Sequence, residues 1–174
     1  MIASEIKEID VFVRQGEMFD EFKTAMSLES AVINYWLNQK ANDFSKININ
    51  GEIWHRMGDL GYVDQDNNLF FCGRKAHAVK TAERHYYSVP CEYIFNKHPI
   101  VSRSALLYLG AKVGIAIEPY ADFWSLDKAG RQEIKDRLRE LAKSSPITEK
   151  ITDFFAFESF PVDARHNAKI FRDK

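Results

Sequence analysis

The sequence has little of three features that mark common protein classes: cysteine, an excess of one charge, and long apolar runs. Its 174 residues include 24 Lys and Arg against 25 Asp and Glu, for a formal net charge of −1. This balance leaves no broad basic face, so we do not expect nucleic acid as a partner. The longest apolar stretches, at 104–109 and 113–117, are far too short to span a bilayer, and the first residues are charged rather than apolar. We therefore expect no membrane span and a cytoplasmic location.

Only two cysteines occur, Cys72 and Cys91, which is too few for a disulfide framework. With His77 and His85 they form a C-x4-H-x7-H-x5-C pattern that offers zinc four ligands. Zinc sites normally use closely spaced pairs such as C-x2-C, and this pattern has none. We therefore expect two buried thiols and no metal site, with a zinc site as the alternative.

The first 72 residues read as β-rich. Residues 5–14 alternate Ile9, Val11 and Val13 with polar or aromatic residues, which predicts a strand. Residues 18–42 carry Phe, Leu and Trp at recurring spacings and predict one or two short helices. Residues 52–72 hold two aromatic-rich runs separated by the polar cluster Asp-Gln-Asp-Asn-Asn, which predicts a β-hairpin.

The residues after Gly73 have an alternating helix and strand character. Pro90 suits the first position of a helix, and Leu138 belongs to the apolar face of an amphipathic one. The predicted order is a helix, two strands, a helix and a further strand, at 89–99, 101–110, 112–119, 125–145 and 151–161. This order predicts an α+β fold, a small domain in which helices cover one side of a mostly antiparallel sheet.

Three polar residues carry candidate chemistry, although each also has an ordinary structural explanation. The carboxylate of Asp59 in "MGDLGY" can accept hydrogen bonds from a ribose diol, or it can stabilise a turn. The guanidinium of Arg74 suits phosphate or ribose oxygens, but a surface arginine at a strand end is the alternative. Lys169 in "RHNAKIFRDK" forms a basic cluster with Arg165 and His166 that can meet an anion, and a solvated tail is its alternative.

Three segments, in this order and spacing, resemble the C-terminal part of the adenylate-forming enzymes, the acyl-CoA synthetase and AMP-dependent ligase superfamily. They are "WHRMGDLGYVDQDNNLFFCGRKAHAVKT", "VPCEYIFNKHP" and "FPVDARHNAKIFR". The segments "CGRKAH" and "RHNAKIFR" are most similar to the fatty-acid-CoA-ligase-like branch that includes olefin-pathway β-lactone synthetases. The resemblance implies that residues 1–72 are the C-terminal tail of a large, N-terminal adenylation domain, a β-rich remnant, and that residues 73–174 are the small mobile C-terminal domain.

The resemblance also implies a role for four positions. Lys169 matches the lysine that bridges the carboxylate substrate and the α-phosphate during adenylation. Asp59 matches the aspartate that holds the ribose hydroxyls, and Arg74 matches the arginine that approaches the ribose and phosphate. The family's hinge position, about which the small domain rotates between two steps, falls on Ala76, where many members have aspartate or lysine.

Together these matches imply an enzyme that uses ATP, with Mg²⁺ in the full enzyme, to convert a fatty or β-hydroxy fatty acid to acyl-AMP. The second step is thioester formation with coenzyme A or closure to a β-lactone. The segment "TAERHYYSVP" departs from the glycine-containing loop that follows the hinge in the family, which favours the lactone.

One element of the family is missing from these residues: the Gly-rich, Ser/Thr-rich loop that cradles the ATP phosphates. We therefore expect the chain to be inactive alone and to need the large adenylation domain, in the same chain or as a separate subunit. The alternative is a noncatalytic binding or regulatory module with the same fold. The joint presence of Asp59, Arg74 and Lys169 favours the enzyme.

Overall fold

A computed structural model describes residues 9–14, 40, 43, 46–63, 68–163 and 166–172. The helices predicted within 18–42 lie outside these residues, apart from Lys40. Described residues up to Phe71 form one compact unit and those from Cys72 onward form a second. The α+β fold class predicted from the sequence is confirmed. Within the described ranges, no helix has the length and apolar character needed to cross a membrane.

The first unit is a four-stranded sheet. Its strands are β1 (Ile9–Arg14), β2 (Lys46–Ile49), β3 (Glu52–Val63) and β4 (Leu69–Arg74), and the unit boundary falls within β4, so that its last three residues belong to the second unit. The long β3 pairs antiparallel with β1 and β2 and also pairs with β4, so the strands predicted at 9–13 and in the 52–72 hairpin are both present. The turn residues 64–67 of that hairpin lie outside the described residues.

The second unit contains the predicted series of helices and strands. Its elements are β5 (Val79–Lys80), β6 (His85–Tyr86), α1 (Ser88–Phe95), β7 (Val101–Tyr108), β8 (Val113–Pro119), α2 (Asp122–Ser125), α3 (Lys128–Lys143), β9 (Asp153–Ala156), β10 (Val162–Asp163) and β11 (His166–Ile170). The main sheet has the order β7-β8-β9, antiparallel between β7 and β8 and parallel between β8 and β9. Because the parallel connection needs a crossover, the α2–α3 segment joins β8 to β9.

Large apolar side chains fill one face of the main sheet, where α1 and α3 pack. Ile115 and Leu138 are completely buried there, and Phe95 meets Phe154 edge to face with ring centroids 5.4 Å apart. Since successive strand residues point to opposite faces, the side chains of Leu106, Ile115 and Ile117 all point to the face that the helices cover. Their burial supplies the main hydrophobic stabilisation of the unit.

The opposite face of the main sheet is covered by the β10–β11 hairpin. Its sheet residues are small: Ala105 and Ala116 pack against Phe160, and Val162 and Ile170 add partly buried contacts. Small side chains let a second layer approach the sheet closely. The segment of Lys169, for which the sequence left a solvated tail as the alternative, is therefore a strand, with Ile170 partly buried against this face.

Candidate functional site

Asp59 lies inside strand β3 rather than in a turn, which removes the turn alternative. The register between β1 and β3 shifts between Asp10 and Phe12, and the part of β3 that faces this shift includes Gly58 and Asp59. Such a β-bulge re-aims side chains and is frequent beside active sites. Gly58 has φ +71°, a conformation that glycine adopts without strain. The bulge therefore sets the direction of the partly buried Asp59 side chain.

The residues that follow Asp59 fix its strand against β4. A Cβ at Gly61 would lie 2.8 Å from the carbonyl oxygen of Phe70, so the two backbones approach at a distance that only glycine permits. Tyr62 stacks on Phe70 with ring centroids 4.8 Å apart and an interplanar angle of 8°. Leu60 is 2% exposed. This packing holds the ribose-binding candidate on a rigid sheet.

Arg74 is the last residue of β4, and its side chain is exposed. The preceding Gly73 has φ +111°, and a Cβ there would clash with the hydroxyl of Ser88, so the approach of the chain to α1 requires glycine. A single 3-10 turn, Lys75–His77, follows, and none of its residues is buried. The hinge candidate Ala76 is at the centre of this turn, and its side chain is exposed.

Lys169 lies on β11, which pairs with β10 through Val162↔Ile170 and Asp163↔His166. Ile170 packs toward the main sheet, and Lys169 is exposed. Because neighbouring side chains alternate across a strand, burial of Ile170 directs Lys169 away from the sheet. The lysine is thus presented to solvent from a paired strand.

An ion pair anchors the chain just beyond Lys169. Nη1 of Arg172 lies 2.6 Å from Oε1 of Glu92, and these side chains are only 14% and 13% exposed. The same Oε1 accepts a 2.8 Å hydrogen bond from the backbone N–H of Leu106, and Arg172 donates to the Leu106 carbonyl at 3.3 Å. The pair therefore satisfies the backbone polar groups of Leu106 and ties the tail to both α1 and β7.

A second carboxylate anchors the chain where it enters the hairpin. Glu118 on β8 pairs across the strands with Arg103, with two contacts from Nη2 at 2.7 and 2.9 Å. Its Oε2 also accepts a 2.6 Å hydrogen bond from the backbone N–H of Phe160. The hairpin closes between these anchors, with the N–H of Phe171 donating to the carbonyl of Pro161 at 2.8 Å.

Sequence reasoning did not single out Glu92, Glu118 or Arg172. The available signal was a charged residue inside an apolar run, as at Glu118 in "VGIAIEP", or an arginine inside a recognised motif, as at Arg172. A charge in such a place needs a buried partner, but the sequence does not say which one. Only the fold identifies the partners.

Cys72 and Cys91 are both buried thiols that form no disulfide with each other, as their sequence interpretation expected. Burial raises the pKa of both thiols, and that of Cys91 rises to about 12. Cys72, Cys91, His77 and His85 all lie in the described part of the chain, where no three His, Cys, Asp or Glu side chains are placed to hold a metal ion. The zinc pattern in the sequence is therefore not assembled as a cluster.

The site candidates divide between the two units. Arg74, Ala76 and Lys169 belong to the C-terminal unit, and Asp59 belongs to the N-terminal one. The exposed guanidinium and ammonium suit phosphate and carboxylate groups, while the carboxylate on the bulge suits hydroxyl donors.

Two curated sequence relatives are olefin β-lactone synthetases. That of Xanthomonas campestris pv. campestris is 35% identical over 163 residues, which covers 87% of this chain and 26% of the relative. That of Stenotrophomonas maltophilia is 37% identical over 120 residues, covering 69% and 22%. A 4-chlorobenzoate–CoA ligase from Arthrobacter is 30% identical over 79 residues, covering 45% and 15%. The chain spans about a quarter of the length of the first two relatives.

Solved structures show the same fold. An o-succinylbenzoate coenzyme A synthetase of Bacillus subtilis, in complex with its acyl-adenylate intermediate, matches with a TM-score of 0.63 and 22% identity over 82% of this chain and 27% of its own. The amide bond synthetase of Marinactinospora thermotolerans matches with a TM-score of 0.57 and 21% identity over 75% and 25%. No protein-family model matches the chain. By sequence and fold, the chain is homologous to the C-terminal part of the adenylate-forming enzymes.

Proposed function

We propose that this chain supplies the C-terminal part of an ATP-dependent enzyme that activates a carboxylic acid as its acyl-AMP. The observation that carries the proposal is the position of Lys169, an exposed lysine held on a paired strand between two anchored chain segments. A solvated tail would not hold a single lysine in this way. Homology to acid-activating ligases and synthetases supports the same reaction class.

Lys169 would act on the charge that develops during adenylation. An oxygen of the substrate carboxylate attacks the α-phosphorus of ATP, the bond from that phosphorus to the bridging oxygen breaks, and pyrophosphate leaves. The two reactants are both anions, and negative charge concentrates on phosphoryl oxygens in the transition state. A positioned ammonium stabilises this charge more effectively than mobile solvent does.

The nucleotide would be held by the two other candidates. Asp59 accepts hydrogen bonds from the ribose hydroxyls, and Arg74 supplies positive charge to ribose and phosphate oxygens. Mg²⁺ accompanies the ATP phosphates, and a related structure of the Bacillus subtilis synthetase contains ATP with magnesium. Loss of Asp59 should weaken nucleotide binding as well as the rate, because binding and orientation both depend on it.

The substrate we propose is a fatty or β-hydroxy fatty acid, since the olefin β-lactone synthetases are among the relatives. With a β-hydroxy acid, the second step then closes a β-lactone: the β-hydroxyl oxygen loses its proton and attacks the acyl carbon of acyl-AMP, and AMP leaves. Thioester formation, in which the thiol of coenzyme A displaces AMP, is the competing outcome, which the 4-chlorobenzoate–CoA ligase relative supports. Products formed with and without coenzyme A, identified by mass spectrometry, distinguish the two.

Catalysis would require a large adenylation domain, in the same polypeptide or as a separate subunit, and residues 1–72 would be the end of that domain. We propose Ala76 as the hinge about which residues 73–174 rotate between the two steps. Its 3-10 turn supports this role, because a hinge uses few residues and no side chain of this turn is buried.

The test is ATP–pyrophosphate exchange by the full enzyme that contains this chain, as one polypeptide or as a complex with its large domain. With a fatty or β-hydroxy fatty acid, we expect Lys169→Ala to lower the exchange rate by roughly 100- to 1,000-fold. Lys143→Ala is the matched control, because Lys143 is an exposed lysine at the end of α3, on the helix side of the sheet. Undiminished exchange by the Lys169 variant would contradict the assignment and favour a noncatalytic binding module.

A further inference from the structure

The β10–β11 hairpin that carries Lys169 is held by carboxylates of the C-terminal unit where the chain enters it and where the chain leaves it. Glu118 accepts a hydrogen bond from the N–H of Phe160 before the hairpin, and Glu92 pairs with Arg172 after it. Neither carboxylate is next to Lys169 in the sequence. Glu118 binds a backbone N–H at the entry of the hairpin, and Glu92 binds a side chain at its exit.

We propose that Glu92 and Glu118 are positioning residues for Lys169, with Glu92 acting through Arg172. This proposal rests on the function proposed above, because it assumes that Lys169 takes part in adenylation. The pair formed by Glu92 and Arg172 is named the exit anchor, and the contact of Glu118 with Phe160 is named the entry anchor.

The exit anchor restrains the lysine most closely. Arg172 is three positions after Lys169, a span of at most about 11 Å for extended chain. The Glu92–Arg172 pair is largely buried, and loss of one partner would leave the other charge without its counter-ion in a poorly solvated place. The intact ion pair therefore holds the C-terminal segment in its register.

The exit anchor also occupies the backbone of Leu106 on β7. Glu92 accepts from its N–H and Arg172 donates to its carbonyl, so the two side chains bond to the strand much as a neighbouring strand would. The position of the tail is thus defined by hydrogen-bond direction as well as by charge. That kind of restraint fixes an orientation, which catalysis by a positioned ammonium requires.

The entry anchor defines where the hairpin starts. Arg103 binds both oxygens of Glu118 and so orients the carboxylate, whose Oε2 then receives the Phe160 N–H. The side chain of Phe160 is buried against Ala105 and Ala116 in the same region. Because the hairpin is held at its entry and at its exit, and Lys169 lies near the exit, the lysine moves together with the C-terminal unit and not as the tip of an independent loop.

The first experiment measures ATP–pyrophosphate exchange by the full enzyme carrying Glu92→Gln. Glutamine still accepts a hydrogen bond from the Leu106 N–H but removes the ion pair with Arg172. We expect kcat to fall roughly 100-fold with little change in the KM for ATP, because the misplaced lysine affects the transition state. Glu118→Ala should lower kcat in the same sense. Arg137→Ala removes an exposed ion pair within α3 and is the matched control, expected to leave kcat unchanged.

A double variant shows whether Glu92 acts through the lysine. If it does, Glu92→Gln causes no further loss of kcat when it is added to Lys169→Ala, whereas independent effects would multiply. A full multiplicative loss, or wild-type kcat in Glu92→Gln, would overturn the positioning role and leave the proposed function intact. Normal exchange by Lys169→Ala alone would instead overturn the proposed function.

Amide hydrogen exchange of the 174-residue chain tests the anchors without any activity. In Glu92→Gln, we expect the amides of 166–170 to exchange about tenfold faster or more than in the unsubstituted chain, while those of α3 are unchanged. Equal exchange rates in β11 would show that Glu92 does not hold the strand and would overturn the proposal.

Discussion

At the scale of single residues, burial decides which side chains are available for chemistry. Lys169 and Arg74 are exposed and carry charge into solvent, whereas Cys91 is fully buried with a pKa raised to about 12. Glu92 lies between these extremes, largely buried but paired with Arg172. Exposed cations are suited to meeting an anionic ligand, and the paired ions are suited to holding backbone in place.

His98 leads to a prediction about pH. Its Nδ1 accepts a hydrogen bond from the Ile100 N–H at 3.3 Å, and burial, with a smaller contribution from Arg137, lowers the pKa of its imidazole. The unfolded chain, with a histidine pKa near 6.5, then takes up a proton before the folded chain does. The stabilisation due to His98 is therefore complete above about pH 6.5 and is lost as the pH falls toward the folded-state pKa.

Urea unfolding of the chain between pH 7.5 and pH 5.5 would measure this effect. The free energy of unfolding should decrease toward the lower pH. His98→Gln should make this decrease smaller, because the contribution of His98 is removed, while the part due to carboxylates is the same in both proteins. NMR titration of the imidazole would give its pKa directly. A folded-state pKa above that of the unfolded histidine would contradict the prediction.

At the scale of elements, local signals near helix and strand ends account for much of the observed structure. The side chain of Asp127 caps α3, with Oδ1 accepting a 2.7 Å hydrogen bond from the Gly130 N–H. Between β2 and β3, Asn50 and Gly51 both have positive φ and form the two-residue turn typical of a hairpin. That Asn-Gly pair was a readable hairpin signal in the sequence, and our interpretation missed it.

The cap of α3 can be tested by Asp127→Ala. The substitution leaves the Gly130 N–H without its side-chain acceptor and should lower the free energy of unfolding by roughly 0.5–2 kcal/mol. Asp136→Ala is the matched control, since Asp136 is an exposed residue inside the same helix whose contacts are surface pairs. The free energy of unfolding is measured by urea titration. Equal destabilisation by the two substitutions would show that the cap contributes no more to stability than a surface contact.

At the scale of the whole molecule, two differently built layers cover the main sheet of the C-terminal unit. The helix side is filled by large apolar residues, with Leu138 and Cys91 completely buried among them. The hairpin side uses alanines and is held by the two anchors as well as by apolar contact. Global stability therefore depends mainly on the helix side, while placement of Lys169 depends on the hairpin side.

The thiol of Cys91 should report on global unfolding of this unit. It is inaccessible and, with a pKa of about 12, almost fully protonated at pH 8, so alkylation should require the core to open. Leu138→Ala should lower the stability by about 2–5 kcal/mol and accelerate alkylation in proportion to the larger open population. Mass spectrometry of the Cys91 peptide with iodoacetamide separates it from Cys72. Rapid labelling of the unsubstituted chain would contradict the burial.

Much of the fold could be predicted from local pattern. The helix that begins near Pro90, the strands with apolar runs at 101–110 and 112–119, and the amphipathic helix containing Leu138 all have periodicities that depend on neighbouring residues. The chemistry-bearing residues could also be found, because motif order and spacing are properties of the chain. Their assigned roles stay predictions. Asp59 shows the limit of local pattern, because glycines beside an aspartate are compatible both with a turn and with a β-bulge inside a strand.

The sequence by itself determined the α+β class, the main helices and strands, and the set of charged residues offered by its motifs. Only the tertiary structure decided that the segment of Lys169 is a strand and that its hairpin is anchored where the chain enters and leaves it. The physical reason is distance along the chain: Arg172 donates to the carbonyl of Leu106, 66 positions earlier, and such a contact has no local pattern. The burial of Ile170 against Ala105 and Ala116 likewise depends on a sheet face that exists only after folding.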